Sequence, residues 1–460
     1  MKDTSFQCRN QSQNENIVPR IDRFLRSLSI SSMLSRANIR KINGISPLIL
    51  LTSLMTMVFS KRNYYRVYSS GSEGFKTDTA YRFLGHPDYN WRQLLLRVAR
   101  VIIRELLIPL TSAGRVNCLI LDSSVYPRNR SRKVELLSWV HDHVTGLNVR
   151  GFQKLLLAWT DGYSTVPLQH ALLSCRDESK RIFGLINKEL DRRSCGARRR
   201  KEALTSMPDV SVQMIRRAKR WGIPAKYVLM DSWFTLPKTI LRIRSLGIHL
   251  IGMIKRSSRI HYLFEGQELD VMQIYRRLRK QRGRAKILTS AIVQFKDSDV
   301  SAKIVFVRNR NARREWLALI STRINLPDEE IVRIYGYRWN IEILFKVAKH
   351  YLKLTTEIQS RSYDALIAHS TIVLLRYCFL ELERRNDADG RSHGELFYAC
   401  TDEIRDVSFF ESLQLLLAFI IEKIRKFQNL TENTISQLID AHLETLESLY
   451  PQLVDLGCGS

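Results

Sequence analysis

A short segment near residue 340 carries four polar residues at helical spacing: Tyr335, Arg338, Glu342 and Lys349. At about 100° per residue, these positions share one face of an α-helix. One carboxylate beside two cations and a phenol suits a metal-bound phosphodiester, with the carboxylate on the metal ion and the cations on phosphate oxygens. The plainer alternative is a surface helix in which Arg338 and Glu342 form an i, i+4 ion pair. The choice between the two depends on whether other carboxylates meet this helix.

Two apolar segments upstream each end in an aspartate. Residues 116–122 end in Asp122, and residues 226–231 end in Asp231. Both segments are short and apolar, which predicts buried strands. If the two strands are neighbours, their carboxylates meet and form, with Glu342, a set of oxygen ligands for divalent cations. Two Mg²⁺ ions about 4 Å apart can activate a nucleophile and stabilise the leaving oxygen of a phosphodiester, so the three carboxylates predict metal-dependent strand cleavage.

The elements around these residues follow an order that brings the two aspartates together. The hydrophobic pattern predicts strands at 116–122, 152–160, 165–174, 226–231 and 247–254, with helices at 210–221 and after 237. This order resembles that of RNase H-like folds, in which the first and fourth strands of a mixed sheet are neighbours. We therefore expect an α/β protein with an RNase H-like mixed sheet, interrupted by a β-rich insertion and flanked by helical N- and C-terminal regions.

The spacing Tyr-x2-Arg-x3-Glu-x6-Lys resembles the YREK signature of bacterial insertion-sequence transposases of the DDE class. In that class a β-rich insertion separates the second aspartate from the glutamate, which fits the long segment between Asp231 and Glu342. The resemblance implies a site for two Mg²⁺ ions, which Mn²⁺ can replace. Asp122 would bridge the two ions, whereas Asp231 and Glu342 would each hold one.

The same resemblance implies a function. The protein would bind double-stranded DNA at terminal inverted repeats, free a 3′-hydroxyl, release the element through hairpin ends and join it to target DNA, as a homodimer in a paired-end complex. Tyr335, Arg338 and Lys349 would grip the transferred strand. Two alternatives stay open: a catalytically silent DNA-binding regulator derived from a transposase, and an RNase H-like nuclease without strand transfer.

Charge and cysteine content narrow the class of protein. The 460 residues include 73 Lys and Arg against 45 Asp and Glu, for a formal charge of +28. So basic a protein works against a polyanion, with nucleic acid the first candidate and an anionic membrane surface the second. The seven cysteines form no CxxC pair, which favours reduced thiols. The polar N-terminus resembles no secretory signal and the apolar run 47–59 is too short for a bilayer, so we expect a cytoplasmic, DNA-associated protein without a membrane span.

These patterns divide the chain into six segments. They are a disordered tail (1–17), a helical DNA-end-binding region (18–115), the first part of the catalytic core (116–255), a β-rich insertion (256–326), a core helix with the catalytic glutamate (327–353) and a helical C-terminal region for dimerisation or support (354–460). A generic helical bundle fits the pattern of the N-terminal region as well as end binding does. For the C-terminal region, the alternative to dimerisation is a plain helical cap on the core.

Two further features are candidates for DNA contact. The segment Arg198, Arg199, Arg200 and Lys201 has no apolar face, which indicates a solvated loop and, in so basic a protein, a clamp on phosphates. Trp316 lies in the predicted insertion. In relatives that cut through a DNA hairpin, an aromatic side chain of the insertion stacks on a flipped base, and the indole of Trp316 is the candidate here. The alternative for Trp316 is a place in the core.

Other polar residues compete weakly for a metal-binding role. Asp161 precedes Gly162 between two predicted strands, and a hairpin turn explains that pair without chemistry. His141 and His143 flank an aspartate, but no third ligand lies nearby in the sequence. We interpret this second pair as part of a surface or DNA-facing loop.

Overall fold

The structure is a computed structural model that describes residues 17–60, 75–112, 114–142, 145–186, 190–281, 285–309 and 315–385. The predicted disordered tail, as far as residue 16, lies outside the described residues. The same holds for the predicted C-terminal region beyond residue 385. All described residues belong to one compact unit.

Short helices form the N-terminal part of the chain. They are α1 (Ile17–Ser27), α2 (Ile30–Arg36), α3 (Pro47–Thr56), α4 (Thr77–Leu84) and α5 (Trp91–Val101). The side chain of Ser46 caps α3 by accepting a hydrogen bond from the N–H of Ile49, and Asn90 caps α5 through the N–H of Gln93. Helix α5 packs against the central sheet, so this region is a bundle docked on the core. Its predicted role in DNA-end binding stays a prediction.

A mixed sheet follows the helices. Its elements are β1 (Cys118–Pro127), β2 (Ser138–Asp142), β3 (Leu147–Thr160), β4 (Thr165–Leu173), α6 (Cys195–Ala203), α7 (Met207–Arg220), β5 (Tyr227–Met230), α8 (Pro237–Arg244) and β6 (His249–Ile254). Strand β1 lies between antiparallel β3 and parallel β5, and β6 is parallel to β5. The order is consistent with the predicted RNase H-like arrangement, in which the strands that carry the two aspartates are neighbours.

Two strand predictions were wrong in detail. Strand β1 does not end at Asp122 but continues to Pro127, because β3 keeps pairing with it over that length while the pairing with β5 stops. The segment around His141, predicted as a loop, forms β2 at the end of the sheet beside the extended first half of β3. Its side chains alternate between buried and exposed, which is typical of an edge strand.

The segment between β6 and the last three helices contains five strands and one helix among the described residues. It contains β7 (His261–Phe264), β8 (Gln267–Asp270), α9 (Val271–Arg277), β9 (Ile287–Phe295), β10 (Ser301–Arg308) and β11 (Trp316–Ser321). Strand β11 is antiparallel to β6, so these strands extend the core sheet into one sheet of eleven described strands.

Three helical elements complete the described chain: α10 (Asp328–Gly336), α11 (Asn340–His350) and α12 (Tyr363–Arg385). Helix α12 is almost wholly buried against β4, α5 and α11. Its stretch Tyr363–Leu382 is long and apolar enough to cross a membrane, but 89% of that window is buried inside the protein. Core helices of soluble proteins share this property, so length and composition alone are weak evidence for a span.

Three charged or titratable groups around α12 contact one another inside this core. Arg376 of α12 contacts both carboxylate oxygens of Glu357, at 2.6 and 3.0 Å, and donates to the backbone carbonyls of Leu54 and Met55. His369 Nε2 lies 2.9 Å from Glu357 Oε2. We call Glu357, His369 and Arg376 the α12 ion network; it joins α12 to α3 and to the segment after α11.

Candidate functional site

Asp122 and Asp231 lie on neighbouring strands inside the sheet, at the point where the parallel pairing of β1 and β5 ends. The last parallel pair between β1 and β5 joins Leu121 to Met230, so each aspartate comes directly after that pair. Asp122 Oδ1 accepts a hydrogen bond from the N–H of Ser123 at 2.7 Å, which orients the carboxylate locally. The two aspartates therefore follow the last parallel pair of neighbouring strands, although β1 itself continues past Asp122.

The spacing of Tyr335, Arg338, Glu342 and Lys349 predicted one continuous helix, but the structure divides this segment into two helices. A 3₁₀ turn at Tyr337–Trp339 joins α10 to α11, and Gly336 precedes it. Asn340 of α11 donates to Thr160 Oγ1 at 3.2 Å and so docks the helix on the β3–β4 turn. At that turn Gly162 has φ +95°, and a Cβ there would approach the Tyr337 ring to 2.5 Å, so glycine permits the close contact.

Arg338 connects the two parts of the candidate site. Its guanidinium lies 2.5 Å from Glu342 Oε1 and 3.5 Å from Asp122 Oδ2. The i, i+4 ion pair of the plainer alternative is thus present, but the same arginine also reaches the aspartate of β1. Glu342 is thereby held next to the aspartate pair and does not face open solvent alone.

Tyr335 and Lys349 lie around this group. The Arg338 guanidinium carbon is 5.8 Å from the centre of the Tyr335 ring, and burial raises the pKa of the phenol to about 12. Lys349 Nζ donates to Ser124 Oγ at 2.6 Å. Because Ser124 lies two residues after Asp122 on β1, the lysine reaches the face of the sheet that carries that aspartate.

The positive charge of Arg338 does not offset the effect of burial on the carboxylates at this site. Burial is the main reason why the pKa of Asp122 rises to about 7, and the carboxylates of Asp231 and Glu342 raise it further, against the lowering effect of the Ser123 N–H and Arg338. Burial also raises the pKa of Asp231. Clustered carboxylates with raised pKa values favour binding of an additional cation.

The donor set suits a divalent metal ion, whereas its arrangement is incomplete. Three carboxylates supply the hard oxygen ligands that Mg²⁺ prefers, and two of them directly follow the last parallel pair of neighbouring strands. Within the described ranges, no three Asp, Glu, His or Cys side chains are close enough to hold one ion. In this arrangement Glu342 Oε1 is paired with the Arg338 guanidinium at 2.5 Å.

Trp316 packs against other side chains of the protein, which is the alternative to a role in base stacking. Its ring stacks on Tyr275 at 4.5 Å, meets Phe306 edge-on at 5.2 Å and lies under the Arg256 guanidinium at 4.5 Å. The ring surface that base stacking needs is already in contact with these neighbours. The packing matches the alternative given for Trp316, a place in the core, and its role in base stacking stays a prediction.

The basic segment 198–201 was also predicted wrongly as a loop. It forms part of α6, and the buried Arg199 and Arg200 both bond to Asp364, at 2.5 and 2.8 Å. Arg198 and Lys201 stay exposed, so only these two are open to phosphate. Asp364, the acid that pairs with both buried arginines, lies 165 positions from Arg199 and 164 from Arg200 in the sequence.

Sequence reasoning missed two further residues near the site. Trp233 follows Asp231 by two positions, is 52% exposed and lies 3.4 Å beneath the Lys255 ammonium. Lys154 is buried on β3 directly opposite Ser124. Both carried a signal in the sequence: a tryptophan next to a strand-ending aspartate, and a lysine inside an otherwise apolar strand.

Comparison with protein families gives a match to the DDE superfamily endonuclease family over residues 45–315. This range covers more than half of the chain and includes Asp122 and Asp231, whereas the segment with Glu342 follows it. A comparison with curated proteins found no match.

Proposed function

Because the chain belongs to the DDE superfamily endonucleases, we propose that it is the transposase of an insertion sequence and cuts DNA with Asp122, Asp231 and Glu342. The family implies a nuclease-type enzyme with DNA as its substrate. The observation that carries the assignment of residues is the pairing of the two aspartate-bearing strands, with Arg338 tying Glu342 to Asp122. The match of four residues to the YREK spacing supports the narrower proposal of transposition.

The carboxylates and the cations of the site would have different roles in cleavage. Asp122, Asp231 and Glu342 would hold two Mg²⁺ ions, or Mn²⁺, which when bound supply an activated nucleophile and charge stabilisation for the leaving oxygen. Arg338 and Lys349 would contact phosphate oxygens and neutralise charge on the strand being cut. Tyr335, held against Arg338, would orient that strand. Burial of the site strengthens each of these electrostatic contacts.

The remaining steps follow from the transposase proposal. The helices of 18–115 would bind terminal inverted repeats, and a homodimer would bring two ends together for cleavage, hairpin formation and joining to target DNA. The formal charge of +28 supports a polyanionic partner. The protein would act in the cytoplasm on chromosomal or plasmid DNA.

Strand cleavage tests the proposal. The substrate is a labelled duplex that carries the DNA flanking the gene, with Mg²⁺ or Mn²⁺ present. Asp122→Asn, Asp231→Asn and Glu342→Gln should each slow cleavage by at least about 10³-fold, the upper range for loss of one electrostatic contact to a transition state. DNA affinity should change little, and Glu329→Gln, an exposed carboxylate on α10, should cleave normally.

Each departure from this result has a distinct meaning. Full cleavage by one of the three variants would remove that residue from the catalytic set. A wild-type protein that binds the duplex but never cuts it would be a DNA-binding regulator. Cleavage without any joined product would leave a nuclease that lacks strand transfer.

A further inference from the structure

A cleft of about 560 Å³ opens beside the outer edge of β4, between the start of α5 and helices α6 and α7. Its cationic lining residues are Arg92, Arg198, Arg199, Lys201, Arg217 and Arg220. Among the described lining residues, Glu202 carries the one carboxylate. We call this site the basic cleft.

Part of the positive charge in the basic cleft is neutralised internally. Glu202 pairs with Arg92 and lies 4.0 Å from Arg217, and Arg199 is bound to Asp364. Burial lowers the pKa of Arg217, and the neighbouring cations Arg92 and Arg220 lower it further. The cleft therefore carries cations that repel one another.

Three cations remain for an outside ligand. Arg198, Lys201 and Arg220 are exposed, and none of them forms an ion pair with the described part of the chain. The positive surface also continues past the cleft, since the Arg97 guanidinium lies 4.9 Å over the Trp221 ring that borders it. An open cleft with several unpaired cations is complementary to a chain of phosphates, which presents charges at regular intervals.

We infer that the basic cleft binds the phosphate backbone of duplex DNA away from the cleaved bond, an inference that rests on the proposed DNA-cutting function. Strand β4 is two strand intervals, roughly 10 Å, from β1 and its aspartate. One turn of duplex DNA spans about 34 Å, which exceeds this lateral distance between the strands. Guanidinium groups suit this role because they contact phosphate through two parallel hydrogen bonds.

Salt-dependent DNA binding by full-length protein in metal-free buffer tests the inference. The triple variant Arg198→Gln, Lys201→Gln, Arg220→Gln should bind a duplex about 100-fold more weakly at 0.1 M salt, and its slope of log affinity against log salt should be smaller by about 3. The control triple variant removes the same charge from exposed positions outside the cleft: Lys226→Gln, Lys238→Gln and Arg279→Gln. An equal loss in the control, or an unchanged slope in the cleft variant, would overturn the inference.

A thiol in the cleft gives a second readout that needs no loss of charge. Cys195 lines the basic cleft, whereas Cys175 has a similar intermediate exposure and lies outside it. Bound duplex should slow maleimide alkylation of Cys195 at least about 10-fold, with the rate for Cys175 unchanged, as read by mass spectrometry. Equal protection by inorganic phosphate at the same phosphate concentration would show a small-anion site and refute binding of the DNA backbone.

Failure of the inference can be told from failure of the proposed function. A wild-type protein that binds no duplex at all refutes both. If the protein binds and cuts DNA normally but bound duplex does not protect Cys195, only the role of the basic cleft in DNA binding is refuted.

Discussion

The α12 ion network and the candidate site both place one arginine among carboxylates, with opposite results. In the α12 ion network, Arg376 meets one carboxylate with two hydrogen bonds and gives its other donors to backbone carbonyls. In the candidate site, Arg338 is shared between Asp122 and Glu342, with Asp231 as a further acid nearby. The first arrangement is complete within the protein, whereas the second has more negative charge than its arginine can balance.

The pKa values of Glu357 and Asp122 differ in the same way. Burial acts to raise the pKa of Glu357, but Arg376 and His369 outweigh it and the pKa is lowered. Burial also raises the pKa of Asp122, and there the single arginine does not compensate. Similar residue types thus produce a structural ion network where every charge is matched and a ligand-binding site where it is not.

The largest expected effect is a difference in stability between variants of Arg376 and of Arg338. Arg376→Met should reduce the free energy of unfolding by about 3–5 kcal/mol, because it leaves Glu357 buried without its cation. Arg338→Met should change it by no more than about 1 kcal/mol, since that ion pair is partly exposed, but should slow DNA cleavage about 10²–10³-fold. Urea unfolding followed by circular dichroism, with cleavage assays on the same samples, measures both. If the two variants lose equal stability, the contrast between the regions is wrong.

The second effect is a dependence of stability on pH that originates in the α12 ion network. Burial lowers the pKa of His369 to about 4, against an ordinary value of about 6.5, although Glu357 opposes this shift. The unfolded chain therefore takes up the proton first, so stability is full above about pH 6.5 and falls as the pH drops towards 4, by on the order of 3 kcal/mol. Urea unfolding at several pH values should show this loss, and His369→Gln should flatten it. An unchanged slope in His369→Gln would assign the pH dependence to other groups.

The smallest effect is a gain in stability beside the candidate site. Burial lowers the pKa of Lys154 to about 7, the Lys349 cation adds to this, and the ammonium has no hydrogen-bond partner in the described part of the chain. Since the folded pKa lies below the ordinary 10.5, the lysine destabilises the fold at neutral pH, and this penalty fades as the pH rises from about 7 towards 10.5. Lys154→Met should therefore add about 2 kcal/mol at pH 7 in urea unfolding, and Lys226→Met, at an exposed position, should add nothing. A loss of stability in Lys154→Met would contradict the picture of an unmatched charge here.

The parts of the site that could be predicted depended on local pattern. Strand order placed Asp122 beside Asp231, and helical spacing paired Arg338 with Glu342. The parts that failed depended on partners distant in the chain. Arg200 is buried because Glu135 and Asp364 meet it, 65 and 164 positions away, and no local pattern indicates such contacts.

The same limit applies to the strands and the insertion. Strand β2 exists because β3 extends far enough to pair with it, which the polar segment around His141 does not reveal. Trp316 is packed because Tyr275, Phe306 and Arg256 surround it after folding. A single tryptophan in a sequence is compatible with packing or with exposure, and tertiary contacts decide between them.

The hydrogen bonding of β11 to β6 has a consequence for engineering and evolution. Strand β11 covers the side of β6 that faces away from β5, so removal of the segment 256–326 would uncover that side. It would leave β6, a largely buried apolar strand, with a row of bare amide and carbonyl groups. Such an edge recruits strands from other molecules and promotes aggregation. Shortened versions of this enzyme should therefore keep at least the β9–β11 meander, and lineages that lost the segment would have had to acquire another cover for β6.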